Sequence, residues 1–267
     1  MTERARAFRL RAGALVLTAA LGSCWSVGEP VNSLEPLPPG GTHVLFVGNS
    51  LTLANDLPGT LADLAGLGGD TIRAMDVSFG GAALQDHFAF GGAMNALRLG
   101  GWQYVVLQQG PSSSDAGRQN LMYWTKFFDD SIRAAGARTA LYMVWPALED
   151  SETFDRTVES YALASQAIGA LLLPVGEAWR AAWARDSTLP LYSSDGLHPS
   201  VLGTYLAALV MYEGITGRDA HVLPLQVRVA GRTFAVPAST VQLLQDAAHE
   251  TVVRYRGPPS RAGPRMP

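Results

Sequence analysis

His43-Val44-Leu45-Phe46-Val47-Gly48-Asn49-Ser50-Leu51-Thr52 is the stretch whose reading decides the fold. Five mostly apolar residues end abruptly in glycine and asparagine, with a serine inside the turn. An apolar run of this length, bounded by turn residues, reads as a strand buried on both faces. Similar β-branched runs recur at residues 71–77, 104–108, 139–144 and 171–175. Helix-like segments lie between them at 53–67, in parts of 85–99, at 119–135 and at 152–168. Another is expected near 177–185, and a strongly apolar one at 200–215. Strands separated by segments of this length need crossovers, so the fold class is α/β: a three-layer α/β/α sandwich with a mostly parallel sheet of about five strands.

Length and composition agree with that outline. The 267 residues suit one domain, and 48% hydrophobic with 16% charged residues excludes a disordered or polytopic membrane chain. The basic residues are scattered, Lys126 is the only lysine, and the formal net charge is −3, so no basic stripe for nucleic acid is present.

The first residues read as an address. Arg4, Arg6, Arg9 and Arg11 precede an apolar stretch at 12–21, too short to span a bilayer but suited to a signal-peptide core. Leu21-Gly22-Ser23-Cys24 follows and resembles a bacterial lipobox, in which the cysteine is acylated. The expected organisation is a signal peptide at 1–23, a lipidated Pro/Gly-rich linker at 24–41, the folded domain at 42–255 and a disordered tail at 256–267. Loss of 1–23 removes four arginines and one glutamate and takes the net charge from −3 to −6. The expected location is the bacterial cell envelope, with Cys24 holding the chain to the membrane on the periplasmic or outer surface; plain secretion is the alternative. Cys24 is the only cysteine, so no disulfide or thiolate metal site is expected.

In open parallel sheets, ligands bind beyond the carboxyl ends of the strands, near the switch in strand order. Ser50 follows the first strand, Gly80 and Gly81 the second, Gln108 and Gln109 the third, and Trp145 and Pro146 the fourth. Asp195-Gly196-Leu197-His198-Pro199 then opens the last apolar helix, placing all these residues on one rim. A serine hydroxyl attacks well only when a base takes its proton; His198 is suited to that, and Asp195 can orient its ring. The oxyanion of a tetrahedral intermediate needs donors. The backbone N–H of Ser50, that of Gly80 or Gly81, and a side-chain amide from Gln108 or Gln109 are the candidates. His43, His87, His221 and His249 have no metal-ligand neighbour at usable spacing, and neither a metal nor another cofactor is expected. The Gly-x-Ser-x-Gly elbow and the phosphate-binding and dinucleotide fingerprints are absent.

At Val47-Gly48-Asn49-Ser50-Leu51-Thr52 and Asp195-Gly196-Leu197-His198-Pro199 the chain resembles the SGNH (GDSL-like) hydrolase family, over most of residues 42–215. Gly80 or Gly81 matches the family's second block more loosely. The third block departs: the family has Gly-x-Asn-Asp where this chain has Gln108-Gln109-Gly110-Pro111-Ser112. The resemblance implies a flavodoxin-like fold and a serine esterase acting through an acyl-enzyme, with Ser50 as nucleophile, His198 as base and Asp195 as its partner. An envelope address and the glutamine variant favour acetyl or other short acyl esters, carbohydrate O-acetyl esters above all. An O-acyltransferase on an envelope glycan and a degenerate glycan-binding module are the alternatives. Residues 226–235 are expected to form an added hairpin and 238–255 a closing helix.

Overall fold

A computed structural model describes residues 35–256. The signal peptide and Cys24 therefore lie outside the described residues, as does nearly all of the tail. Among the described residues, no helix is long and apolar enough to cross a membrane.

Five strands form one sheet: β1 (Thr42–Gly48), β2 (Ile72–Ser78), β3 (Tyr104–Leu107), β4 (Arg138–Tyr142) and β5 (Leu171–Leu173). All four pairings are parallel, in the order β2-β1-β3-β4-β5. The helices are α1 (Ser50–Leu53), α2 (Leu57–Leu67), α3 (Leu84–Phe90), α4 (Gly92–Arg98), α5 (Asp115–Ala134), α6 (Phe154–Ile168), α7 (Val175–Arg185), α8 (Val201–Thr216) and α9 (Ala238–Tyr255). The hairpin β6 (Val227–Val229) and β7 (Arg232–Phe234) precedes α9. One layer packs α2, α7, α8 and α9 together; the other holds α3 to α6. The chain thus passes over one face from β1 to β2 and over the other from β2 to β3 and on to β5. In open parallel sheets such a reversal marks the ligand-binding end, here the carboxyl ends of β1 and β3.

Val44, Leu45 and Phe46 of β1 are fully buried, as a central strand covered on both faces requires. Helix α8 is apolar nearly all round and buried from Gly203 to Glu213. Gly203 lets it press against the segment before the Asp195 loop. A Cβ there would lie 2.3 Å from the Leu191 carbonyl oxygen and 2.6 Å from the Trp179 ring.

The helix expected at 53–67 is interrupted. Ala54–Asp56 form a 3-10 turn in which Asn55 (φ 54°) and Asp56 (φ 49°) are left-handed. Asparagine and aspartate tolerate that conformation best among residues with a side chain. Asp56 then caps α2 by accepting from Gly59 N–H.

Candidate active site

Ser50 is the first residue of α1, directly beyond β1. The buried Asn49 caps that helix, its Oδ1 accepting from Leu51 N–H at 3.0 Å, while its Nδ2 donates to the Ala82 carbonyl at 3.1 Å. As the first helical residue, Ser50 has no intrahelical acceptor for its own N–H. The turn after β2 carries Gly80 and Gly81, closed by an Ala82 N–H to Phe79 O bond of 3.1 Å. Gly81 sits at φ 72°, where a side chain would be strained.

Asp195 and His198 meet as a dyad. Asp195 Oδ2 accepts from His198 Nδ1 at 2.6 Å. Its Oδ1 accepts from the Ser193 hydroxyl (2.7 Å) and from the N–H groups of Leu197 and His198 (both 2.9 Å). Those donors, the Ser193 hydroxyl foremost and the His198 ring next, hold the carboxyl well below the usual carboxylate range. An ionised carboxylate only accepts, so the proton of a neutral His198 sits on Nδ1 and Nε2 presents a lone pair. Ser200 caps α8 by accepting from Leu202 and Gly203 N–H, leaving Asp195 to its loop.

Asn55 joins the two halves of the site. Its Nδ2 donates to the Pro199 carbonyl at 3.0 Å and to Thr204 Oγ1 at 2.9 Å, linking positions 144 residues apart. The turn just after Ser50 is thereby pinned to the peptide just after His198. No hydrogen bond joins Ser50 Oγ to His198 Nε2 among the described residues; such bonds are often long in resting sites and tighten on substrate. Trp145 braces the loop from below. It is fully buried, stacks on Trp179 at 3.6 Å, and donates Nε1–H to the Leu197 carbonyl at 3.0 Å. Tyr192 adds a 2.6 Å bond from its hydroxyl to the Pro146 carbonyl. Asn55 and Trp145 are positioning residues; sequence reading placed Trp145 on the rim without a role and missed Asn55. Only the left-handed preference of an Asn-Asp pair and a tryptophan at a strand end hinted at them.

The expectation for Gln108 is corrected by its surroundings. Its Nε2 donates to Asn49 Oδ1 (2.9 Å) and to the Gln109 carbonyl (2.8 Å), using both amide hydrogens. Its Oε1 accepts from Asn49 N–H and Thr52 Oγ1, both at 2.8 Å. Gln108 is therefore a buried brace for the Ser50 turn, with no donor left for an oxyanion. Gln109 is buried too; its Oε1 accepts from Leu84 N–H at 3.2 Å and its Nε2 donates to Ser112 Oγ at 2.9 Å, leaving one amide hydrogen. Gln108→Leu should leave the Asn49 and Thr52 donors unpaired in the interior. We expect a loss of about 2–4 kcal/mol by chemical unfolding, with reduced kcat from a misplaced Ser50.

His87 supports the same turn from α3. It is fully buried, and its Nε2 donates to the Gly48 carbonyl at 2.6 Å. Burial lowers its pKa, outweighing the opposing pull of the Gly48 carbonyl and Asp86. Between that lowered value and the unfolded value of about 6.5, the unfolded chain binds more protons, so stability rises with pH. The contribution is complete above the unfolded value and is lost as pH falls toward the folded one. His87→Gln keeps an amide donor within reach of the Gly48 carbonyl and removes the titration. A flatter fall of Tm between about pH 7 and 5 than in the wild type is the expected outcome.

His221 and His249 also differ from expectation. Folding brings both to Asp219, just beyond the C-terminal end of α8.

The parallel sheet thus carries Ser50 at its switch point, a glycine turn after β2, and an Asp195–His198 pair tied to the Ser50 turn through Asn55. No family model matches the chain, and no curated protein matches it. Solved structures do. A protein from Slackia heliotrinireducens assigned to the SGNH hydrolases is 31% identical, with a TM-score of 0.56, over 66% of this chain and 100% of that one. A DUF4886 family protein from Bacteroides uniformis aligns with a TM-score of 0.65 at 18% identity, over 83% of this chain and 98% of that one. The lipase/acylhydrolase from Enterococcus faecalis aligns at 0.53 and 16% identity, over 66% and 96%. The last two show the shared fold. The chain belongs to the SGNH hydrolases, a family of ester-hydrolysing enzymes.

Proposed function

We propose that the protein is a serine esterase that removes acetyl or other short acyl groups from a carbohydrate, using Ser50, His198 and Asp195. The observation that carries this reading is the 2.6 Å Asp195–His198 pair, tied to the nucleophile turn through Asn55. Ser50 Oγ attacks the ester carbonyl carbon as its proton passes to His198 Nε2. The electron pair displaced onto the carbonyl oxygen is met by the N–H groups of Ser50 and of Gly80 or Gly81, with the remaining Gln109 amide hydrogen as a third candidate. Collapse expels the alcohol, which takes the proton from His198. Water then attacks the acyl-enzyme with His198 again as base, releasing the acid and free Ser50.

Two features favour a bulky, hydroxylated alcohol. The dyad is open, with side-chain exposures of 33% for His198 and 50% for Asp195. Beside it lies a cleft of about 470 Å³ lined by Leu148, Glu149, Ser193 and Asp195, among others, which offers hydrogen-bonding partners to a sugar. The lipobox-like run ending in Cys24 supports an envelope-anchored location, close to acylated glycans. Rates on p-nitrophenyl acetate, butyrate and octanoate test acyl length, and acetate release from acetylated xylan tests the alcohol. A rate that falls with chain length, with acetate released from the polymer, is expected; a preference for octanoate and no release would contradict the reading. Acyl transfer to an added sugar in place of hydrolysis would reassign the site to a transferase.

A further inference from the structure

We propose that Asp219, His221 and His249, with Glu213, form a zinc-class divalent metal site joining α8, the 3-10 turn at Ala220–Val222 and α9. The candidate ligand atoms of the first three lie within 4.8 Å of one another. Asp219 Oδ1 is 2.6 Å from His221 Nδ1 and 3.4 Å from His249 Nδ1, and Glu213 Oε1 is 3.0 Å from His249 Nδ1. Two ligands held at 2.0–2.1 Å by a tetrahedral zinc ion are about 3.3 Å apart. Small side-chain adjustments therefore suffice to admit the ion. Two imidazoles with carboxylates are a donor set that zinc accepts.

The surroundings supply what a metal-binding histidine needs behind it. His221 turns its other nitrogen, Nε2, to Asp246 Oδ1 at 2.8 Å, and Gln242 Nε2 steadies the same oxygen at 3.1 Å. A carboxylate behind the imidazole fixes its tautomer and strengthens it as a ligand. Glu213 adds a buried carboxylate to the cluster. It is a carboxylate only 1% exposed in an otherwise apolar helix; its Oε2 accepts from Ala220 N–H at 3.1 Å and its Oε1 faces His249. Such a buried charge calls for compensation.

The cluster is rich in negative charge. Glu213, Asp219 and Asp246 face two imidazoles, and even if both were protonated one negative charge would be left over. Arg185, whose charge reaches Asp246, is paired with Glu250, and Arg256 donates to the Glu213 backbone carbonyl. A dication fits that balance. The Asp219, His221 and His249 side chains are 44%, 33% and 37% exposed, so an ion can enter. Glu213 lies about 18 Å along α8 from its first residue, so the site is structural and separate from ester cleavage.

Titration of the full chain with Co2+ tests this, read by visible d–d absorption and competed with Zn2+, alongside Tm in Zn2+ and in EDTA. Expected are one equivalent bound per chain, displacement by Zn2+, and a Tm raised by Zn2+. His221→Gln and His249→Gln should each weaken binding at least about 100-fold, and Asp246→Asn about 10- to 100-fold, with ester hydrolysis unchanged. The wild-type titration decides even if a histidine variant fails to fold. Absence of saturable binding, binding retained in both histidine variants, or a thiolate-to-cobalt charge-transfer band assigning the ion to Cys24 would each overturn the proposal.

Discussion

Ser50→Ala and His198→Ala should each lower kcat for p-nitrophenyl acetate by about 10^4- to 10^6-fold and leave the fold intact. In the proposed mechanism Ser50 contributes the atom that forms the covalent bond, and without it the pathway through an acyl-enzyme is closed. His198 contributes the only lone pair that the Asp195 loop aims outward, because Nδ1 is committed to Asp195 Oδ2 at 2.6 Å. The two losses should not add. Either change removes the same step, so the double variant should be about as slow as the slower single one. Residual turnover would come from the backbone donors at Ser50 and at Gly80 or Gly81. Thermal melting checks the fold, since Ser50 and His198 are both partly exposed and neither fills the core.

Asp195→Asn should cost about 10^4-fold in kcat, and the reason lies at the other carboxylate oxygen. Three donors converge on Oδ1: the Ser193 hydroxyl and the N–H groups of Leu197 and His198. They require an acceptor, so the asparagine carbonyl must take that place and its NH2 must face His198. An N–H directed at Nδ1 makes that nitrogen the acceptor and moves the ring proton to Nε2. The base then has no lone pair for Ser50. Asp195→Ala, which imposes no tautomer, should be less inactive than Asp195→Asn, provided the loop holds.

The pH behaviour follows from the same bonds. Asp195 has its carboxyl pushed well below the usual range. Its contribution to the loop is complete above the unfolded carboxylate value and is lost only as pH falls toward the folded one. Across neutral and mildly acid conditions it stays ionised. Ser193→Ala removes the foremost of its donors, so loop ordering in that variant should fail at a higher pH than in the wild type. Loop ordering, followed by the fluorescence of Trp145 packed beneath the loop as the pH is lowered, reads this directly.

Much of this was legible in the residues, for reasons particular to each. The continuous apolar run before Gly48 had to be a doubly covered strand, and segments of helical length between such runs forced parallel pairing. The hairpin at 227–234 and α9 followed from local turn and helix signals. Asp195 and His198 were readable because both sit in one short loop, where spacing alone brings them together. What escaped depends on distant partners. The break at Asn55 is set by its bonds to Pro199 and Thr204, so a local helical pattern at 53–67 ran straight through it. Gln108 at a strand end looks the same in sequence whether it points to substrate or into the nucleophile turn. Its partner Asn49 lies 59 residues earlier and decides the matter. His221 and His249 come from a turn and a helix that meet only after α9 docks on α8, so no spacing rule could pair them.

The central claim is that Ser50 is a nucleophile activated by His198. Labelling of the full chain with a p-nitrophenyl alkylphosphonate, followed by peptide mass spectrometry, tests it most directly. One phosphonyl adduct per chain, on the peptide containing Ser50, absent in Ser50→Ala and slowed by orders of magnitude in His198→Ala, is the predicted result. An adduct on another residue, or labelling of the wild type no faster than of the His198→Ala variant, would contradict it.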